Sequence, residues 1–231
     1  MRTPRSTGAA TLSIDPEGRV ATIRVSRGTQ QQTLPPDLLA ELDRILHLAT
    51  TAQVVILRTG DKTTGVDGDQ AVPRPALVDE RCEWTPLGHR VFDHITQLPR
   101  PTIAVVNGLA IGFGADLALA CDHRVATDNA RVGPCAVGLG TIPGCAGTQR
   151  LTQLIGSQRA NEMLRRTPRL DAKKALEWGL LTNVTSTEGL EHFLDHLVHS
   201  VLGPDNLMNA PPHFHRMFTA AQQLPLTGRE R

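Results

Sequence analysis

Residues 107–122, NGLAIGFGADLALACD, place Gly112 and Gly114 on either side of Phe113, with Asp116 two residues further on. Glycine weakens a helix, so a segment that only had to pack would not open on two of them. Read as a glycine turn leading into a helix, the segment exposes the first amides of that helix. These have no intrahelical acceptor and lie at the positive end of the helix dipole. Such an end suits an anion, either a bound phosphate or a transient oxyanion. The phosphate fit is poor, because GFGADL lacks a P-loop lysine and meets GxGxxG only in its first two glycines. For an oxyanion, Asp116 in the first turn could reach a bound substrate. An amide hole beside a carboxylate is what enolate chemistry at a thioester needs. The structural alternative is a tight glycine turn with Asp116 balancing the dipole.

Those residues need a scaffold, and the composition bounds it. The 231 residues suit one large domain, or one domain with a small appendage. Hydrophobic residues make up 40% but aromatics only 3%, with no tyrosine, so the core must be built from Leu, Val, Ile and Ala. The 24 basic and 23 acidic residues leave a net charge of +1, which argues against nucleic acid or an anionic membrane as a partner. No apolar run reaches the roughly 18 residues of a membrane span, and MRTPRSTGAA has no secretory apolar core. Cys82, Cys121, Cys135 and Cys145 lack CxxC spacing and are expected to be buried free thiols in a cytoplasmic protein.

Along the chain, ATLSIDPEGRVATIRVSR reads as a β-hairpin turning at Asp15-Pro16-Glu17-Gly18. PPDLLAELDRILHLA puts Leu38, Leu42, Ile45 and Leu46 on one helical face, with Pro36 in the first turn. QVVILRT is a short buried strand. Residues 59–86 are polar, rich in Gly, Asp and Pro, and read as a long loop, a place where function often resides. A helix is expected from Leu87 to Gln97, with Val91, Ile95 and Leu98 inward and Pro99 and Pro101 ending it. TIAVVN and HRVAT are strands, and TQRLTQLIG and SQRANEMLRR continue the alternation. DAKKALEWG carries Asp171 as N-cap and Gly179 as C-terminal glycine. EGLEHFLDHLVHSVLG is a helix, and the last half-dozen residues are expected to be disordered. The recurrence of strand, turn and helix points to an α/β fold.

LPRPTIAVVNGLAIGFGADLALACDHRVAT, followed by VGLGTIPGCAGTQRLTQLIGS, closely resembles the crotonase (enoyl-CoA hydratase/isomerase) superfamily. That family shows a KPTIAAVNG strand, a GxG turn, an acidic residue, a CD-R-A strand and then GxxPGxGGTQRL. AKKALEWGLLTNV is similar to its A-x-x-A-x-x-x-GLV stretch, and LRTGDKTTGVDGDQ more weakly to a segment ending AGAD. The resemblance runs from Ala10 to Val184 and is strongest from Leu98 onward. It implies a crotonase-like spiral of ββα units, with a thioester-binding core over residues 1–184. Residues 185–231 would form a short helical region for trimerisation and as a lid, without the EG-x-x-AF-x-x-KR segment of the family. It also implies a homotrimer or hexamer, and a substrate that is an acyl thioester of coenzyme A or of an acyl-carrier protein. No cofactor and no metal are expected beyond the coenzyme A thioester itself.

Carried over by residue, the resemblance makes the backbone amides of Gly68 and Phe113 the oxyanion hole. Phe113 stands where the family has glycine or alanine, so its ring could reshape the acyl pocket. Asp116 falls at the first of two catalytic glutamates, and Ala136 occupies the position of the second. Alkene hydration uses two carboxylates to position and split one water, which a methyl group cannot do. Asp for Glu also shortens the remaining arm, and roughly 1 Å of misplacement can cost on the order of 10²-fold in rate. One carboxylate and an oxyanion hole still suffice for a double-bond shift, a decarboxylation or a dehydration. Asp67 stands where the family has glycine; it faces solvent in a turn or replaces the missing carboxylate. Lys62 and Arg74 could pair with nucleotide phosphates or be solvated charges. Cys135 is a pocket neighbour or a small buried hydrophobe. Thr141 positions a water or caps a turn. Arg150 is expected to anchor its helix to a neighbouring turn.

His192, His196 and His199 share a helical face opposite Phe193, Leu194, Leu197 and Val201, and are expected to face solvent rather than a metal. His213 and His215 are uncommitted. Two functions follow. The first is an acyl-thioester enzyme using Asp116 as a single acid/base. The second is a catalytically degenerate accessory subunit assisting a partner enzyme in specialised, polyketide-type metabolism.

Overall fold

The alternation of residues 10–25 folds as the expected antiparallel hairpin, β2 (Ala10–Ile14) and β3 (Val20–Val25). Asp15 closes its turn, with Oδ1 accepting from the amides of Arg19 at 2.6 Å and Val20 at 2.9 Å. The computed structural model describes residues 5–6, 10–25, 36–59, 63–64, 76–111, 113–133, 147–166 and 168–203. A two-residue strand, β1 (Arg5–Ser6), precedes the hairpin. It is followed by α1 (Pro36–Ala49), β4 (Val54–Thr59), β5 (Thr63–Thr64), α2 (Ala76–Gln97), β6 (Thr102–Val106), β7 (Leu109–Ile111) and α3 (Phe113–Leu119). Then come β8 (His123–Thr127), β9 (Arg131–Gly133), α4 (Gly147–Arg166), β10 (Leu170–Asp171), α5 (Ala172–Trp178), β11 (Asn183–Thr185) and α6 (Leu190–Leu202).

Two sheets are filled in step. One has seven strands in the order β1-β2-β3-β4-β6-β8-β11, parallel from β3 onward. The other has four in the order β10-β9-β7-β5, with only β10 antiparallel to its neighbour. The chain passes from one sheet to the other at β4 to β5, β6 to β7 and β8 to β9. This is the expected α/β spiral.

The parallel strands are apolar on both faces, as a doubly covered sheet requires. Val55, Leu57, Ala104 and Val106 join the cluster that buries Leu38, Leu39, Leu42, Ile45 and Leu46 of α1. Their neighbours Val54, Ile56, Ile103 and Val105 face the other way, against Leu190, Leu194 and Val201 of α6. Arg58 of β4 also forks onto Glu191 of α6, with Nη1 2.9 Å from Oε2 and Nη2 on Oε1. That hydrogen-bonded guanidinium holds the Glu191 carboxyl below its ordinary range. Glu191 is largely exposed, so the apolar face of α6 holds it in place more than the ion pair does.

Three expectations need correction. Residues 59–86 are not a continuous loop: β5 lies within them, and α2 begins at Ala76 with Pro86 inside the helix. ALVDERCEW is rich in helix formers, and the bond lost at Pro86 is tolerated because Val91, Phe92 and Ile95 pin the following turns into the core. The turn before α3 contains a short strand, β7, and β9 and β10 complete its sheet; strands of two or three residues are too short to show periodicity. TQRLTQLIG and SQRANEMLRR run together as α4, broken at Gly156, whose φ of 80° and ψ of 159° only glycine adopts freely. The caps of α5 are as expected. Asp171 accepts from the Lys174 amide at 2.8 Å, and Gly179 is left-handed.

The CDHR segment is a latch. Oδ2 of Asp122 accepts from both the amide and the hydroxyl of Thr102, each at 2.8 Å, and the Asp122 amide donates back to that hydroxyl at 2.9 Å. Buried Arg124 donates to the carbonyls of Leu180 at 2.9 Å and Cys121 at 2.5 Å, tying β8 to the turn after α5. Cys121 is a buried free thiol, as expected of the cysteines; Cys82, Cys135 and Cys145 have no described side chains. Burial is the main force that pushes the Cys121 pKa up to about 12. The folded state therefore keeps its thiol proton where the unfolded chain, with a pKa near 8.5, releases it. This contribution to stability is complete below about pH 8.5 and is lost as pH rises toward about 12. Peptide mapping after iodoacetamide treatment at pH 8.5 should find Cys121 unmodified in the folded protein and fully alkylated in guanidinium.

Candidate active site

Strand β7 delivers the chain to α3, and α3 begins at Phe113, so the Phe113 amide has no acceptor within its own helix. Asp116 lies in the first turn, as expected, and is only 6% exposed. Its carboxylate rests directly on the first residue of α4. A Cβ built on Gly147 would stand 2.5 Å from Oδ1 and 2.9 Å from Cγ of Asp116. No real Cβ approaches so closely, so the Asp116 carboxylate can occupy this position only because residue 147 has no side chain.

Around the carboxylate is a small cavity lined by Asp116, Leu119, Val132, Gly147, Leu151 and Met163, among others, and among the described residues that line it Asp116 is the only charged one. The described walls leave room for about one water molecule. Neither side of α3 is free to move. At its start it follows β7, which is paired with β5 and β9, and at its end the Thr102–Asp122 latch grips β6. A carboxylate held this firmly loses little on binding and can be aimed at a reacting carbon.

The structure brings together Asp116, the backbone of Phe113 and Gly147. The other expected site residues, Lys62, Asp67, Gly68, Arg74, Cys135, Ala136 and Thr141, lie outside the described residues, as does the Phe113 side chain. Gly147 was missed as a site residue. Its signal was only a glycine at the head of a helix, in a motif read for its resemblance rather than for its contacts. Arg150 is an anchor as expected, and its described partners lie on α2: Nη2 lies 3.0 Å from Asp93 Oδ1, and the guanidinium stands 5.6 Å from the Phe92 ring centroid. His192, His196 and His199 face outward on α6 while Leu194 and Val201 are buried, as expected. Among the described residues, no helix is long and apolar enough to cross a membrane.

Two sheets filled alternately by one spiralling chain, with a buried carboxylate where a helix starts, define an α/β spiral of the crotonase type. The sequence pattern of the enoyl-CoA hydratase/isomerase family matches residues 15–230, and the chain belongs to that family. It is 31% identical over 202 residues to the short-chain-enoyl-CoA hydratase of Clostridium acetobutylicum, covering 86% of this chain and 76% of the relative. Against the crotonyl-CoA hydratase of Syntrophomonas wolfei the identity is 34% over 183 residues, covering 78% and 70%. The crystal structure of an enoyl-CoA hydratase from Bacillus anthracis superposes with a TM-score of 0.79 at 29% identity, covering 93% of this chain and 84% of that one.

The Asp116–Gly147 contact should dominate the response to a methyl group at residue 147. Gly147→Ala should lower stability by about 1–3 kcal/mol despite the better helix propensity of alanine, as overpacking does. In an Asp116→Ala background that cost should largely vanish. Thermal melts of the four proteins in this double-mutant cycle provide the check.

Proposed function

We propose that the protein processes an acyl thioester, of coenzyme A or of an acyl-carrier protein, through an enolate. Asp116 acts as the single acid/base, and the amides of Phe113 and Gly68 receive the thioester oxygen. The observation that carries this reading is the placement of Asp116: a buried carboxylate on a small cavity whose other described lining is apolar, in the first turn of a helix whose amides favour negative charge. When Asp116 removes a proton from the carbon chain, the electron pair moves onto the thioester oxygen. The helix amides stabilise that charge with no reorganisation. Returning the proton at a different carbon shifts the double bond and restores the carboxylate.

Hydration of a simple enoyl thioester fits less well. Ala136 stands where the family carries its second catalytic glutamate, so one carboxylate would have to both orient and split the water. Isomerisation is the preferred reaction, with decarboxylation or dehydration of a substrate bearing a good leaving group as the alternatives. A coenzyme A substrate has support from a structural relative: the enoyl-CoA hydratase candidate of Thermobifida fusca YX was solved in complex with CoA, and matches at TM-score 0.80 and 29% identity. The working assembly is a homotrimer or hexamer.

Ala136, together with Asp67 in place of the family's glycine, favours a second reading, an accessory subunit that keeps the pocket without turning over substrate. Solvent-deuterium exchange into acyl-CoA analogues, read by mass spectrometry, separates the two. The enzyme should exchange carbon-bound protons well above the buffer rate, and Asp116→Asn should slow this at least about 10²-fold, the usual contribution of a positioned acid/base. Exchange at the buffer rate in both proteins would leave only the accessory reading.

A further inference from the structure

Away from Asp116, α1 and α2 bring three metal-capable side chains together. Asp43 and His47 stand one turn apart on α1, and His94 reaches across from α2. Each offers one ligand atom, and the three atoms lie within 4.8 Å of one another. It is the only such group of three among the described residues.

The hydrogen bonds show how the rings are set. His47 Nδ1 lies 2.8 Å from the main-chain oxygen of Asp43. A carbonyl can only accept, so Nδ1 carries the proton, and in the neutral ring Nε2 keeps its lone pair. His94 Nδ1 lies 2.9 Å from Asp43 Oδ1, which joins the two helices through one shared proton. The rings meet edge to face, with centroids 4.2 Å apart and an interplanar angle of 65°. For His47, fixing one ring nitrogen on an oxygen acceptor leaves the other for a metal, which is how proteins orient metal-binding histidines.

We infer that Asp43, His47 and His94 form a binding site for a divalent transition-metal ion of the zinc type, clamping α1 to α2. The ion takes the place of the proton between His94 Nδ1 and Asp43, with His47 Nε2 as the third ligand and water as the fourth. With bonds of about 2.0–2.1 Å, tetrahedral ligands sit roughly 3.3 Å apart. Closing the set from at most 4.8 Å therefore needs no more than about 1.5 Å of movement. Two imidazoles and one carboxylate suit Zn²⁺ or Co²⁺, whereas Mg²⁺ and Ca²⁺ prefer oxygen alone. Arg90, whose Nε is 3.9 Å from Asp43 Oδ2, competes for the carboxylate; its side chain is 67% exposed and can swing into solvent as the ion enters. Asp43 and His94 are half-buried and His47 is exposed, so solvent reaches the site. The site is independent of the chemistry proposed for Asp116.

The test is a titration of the full-length protein with Co²⁺, followed by displacement with Zn²⁺. One equivalent should bind, giving visible d–d absorption without a thiolate charge-transfer band, and Zn²⁺ should raise the Tm. His47→Gln and His94→Gln should each weaken binding at least about tenfold. His196→Gln, in the exposed histidine pair on α6, should leave it unchanged. Because His47 is exposed, His47→Gln keeps the test decisive even if His94→Gln fails to fold. The inference is overturned if the wild type shows no saturable uptake at roughly 1 mM Co²⁺. It is also overturned if His47→Gln titrates like the wild type, if binding is lost in His196→Gln, or if a thiolate band appears.

Discussion

A parallel sheet with apolar residues on both faces has to be covered twice, and that requirement shapes the rest of this protein. In β4, Val55 and Leu57 point to one side and Val54 and Ile56 to the other, and β6 repeats the pattern. Leaving either face open would expose several aliphatic side chains, each worth about 1.5–3 kcal/mol in burial. Helix α1 covers one face and α6 the other. Between its strands the chain leaves this sheet after β4, β6 and β8 to add short strands to the second sheet, and the turn from β7 into α3, where the candidate site lies, falls on one of these excursions.

Within that frame, polar groups hold what apolar packing leaves loose. Thr102 and Asp122 bond to each other three times, fixing the end of α3 against the start of β6. Arg124 spans from the turn after α3 to the turn after α5. Arg150 and Asp93 join α4 to α2, with the Phe92 ring beneath the guanidinium. All three connections surround α3 and α4, the helices that meet at Asp116 and Gly147. The acid/base role proposed for Asp116 requires that it stay aimed, and its position is set by these neighbouring elements as well as by the short helix that carries it. This gives a physical account of CDHR and TQRL as family motifs: their residues hold the site in position.

How much could be read from the sequence depended on the range of the interaction involved. Asp116 and the Phe113 amide could be placed because a glycine turn, a helix start and a carboxylate lie within a few residues of one another. The hairpin, α1, the caps of α5 and the outward histidines of α6 were equally legible, since alternation, helical spacing and capping are local. The start of α2 was not. Composition alone reads Gly, Asp and Pro as a loop, and only packing of the later turns outweighs a proline at residue 86.

By itself, the sequence determined the α/β class, the family, the apolar faces of the helices and the place of Asp116 in the first turn of α3. All of these follow from residue order over short distances or from long motifs in register. Only the tertiary structure decided that Gly147 is the seat of Asp116, that Arg150 reaches Asp93, and that His94 meets Asp43 and His47 across two helices. Each of these contacts joins residues tens of positions apart. Its geometry depends on how the helices cross over the sheet, and no local pattern encodes that crossing.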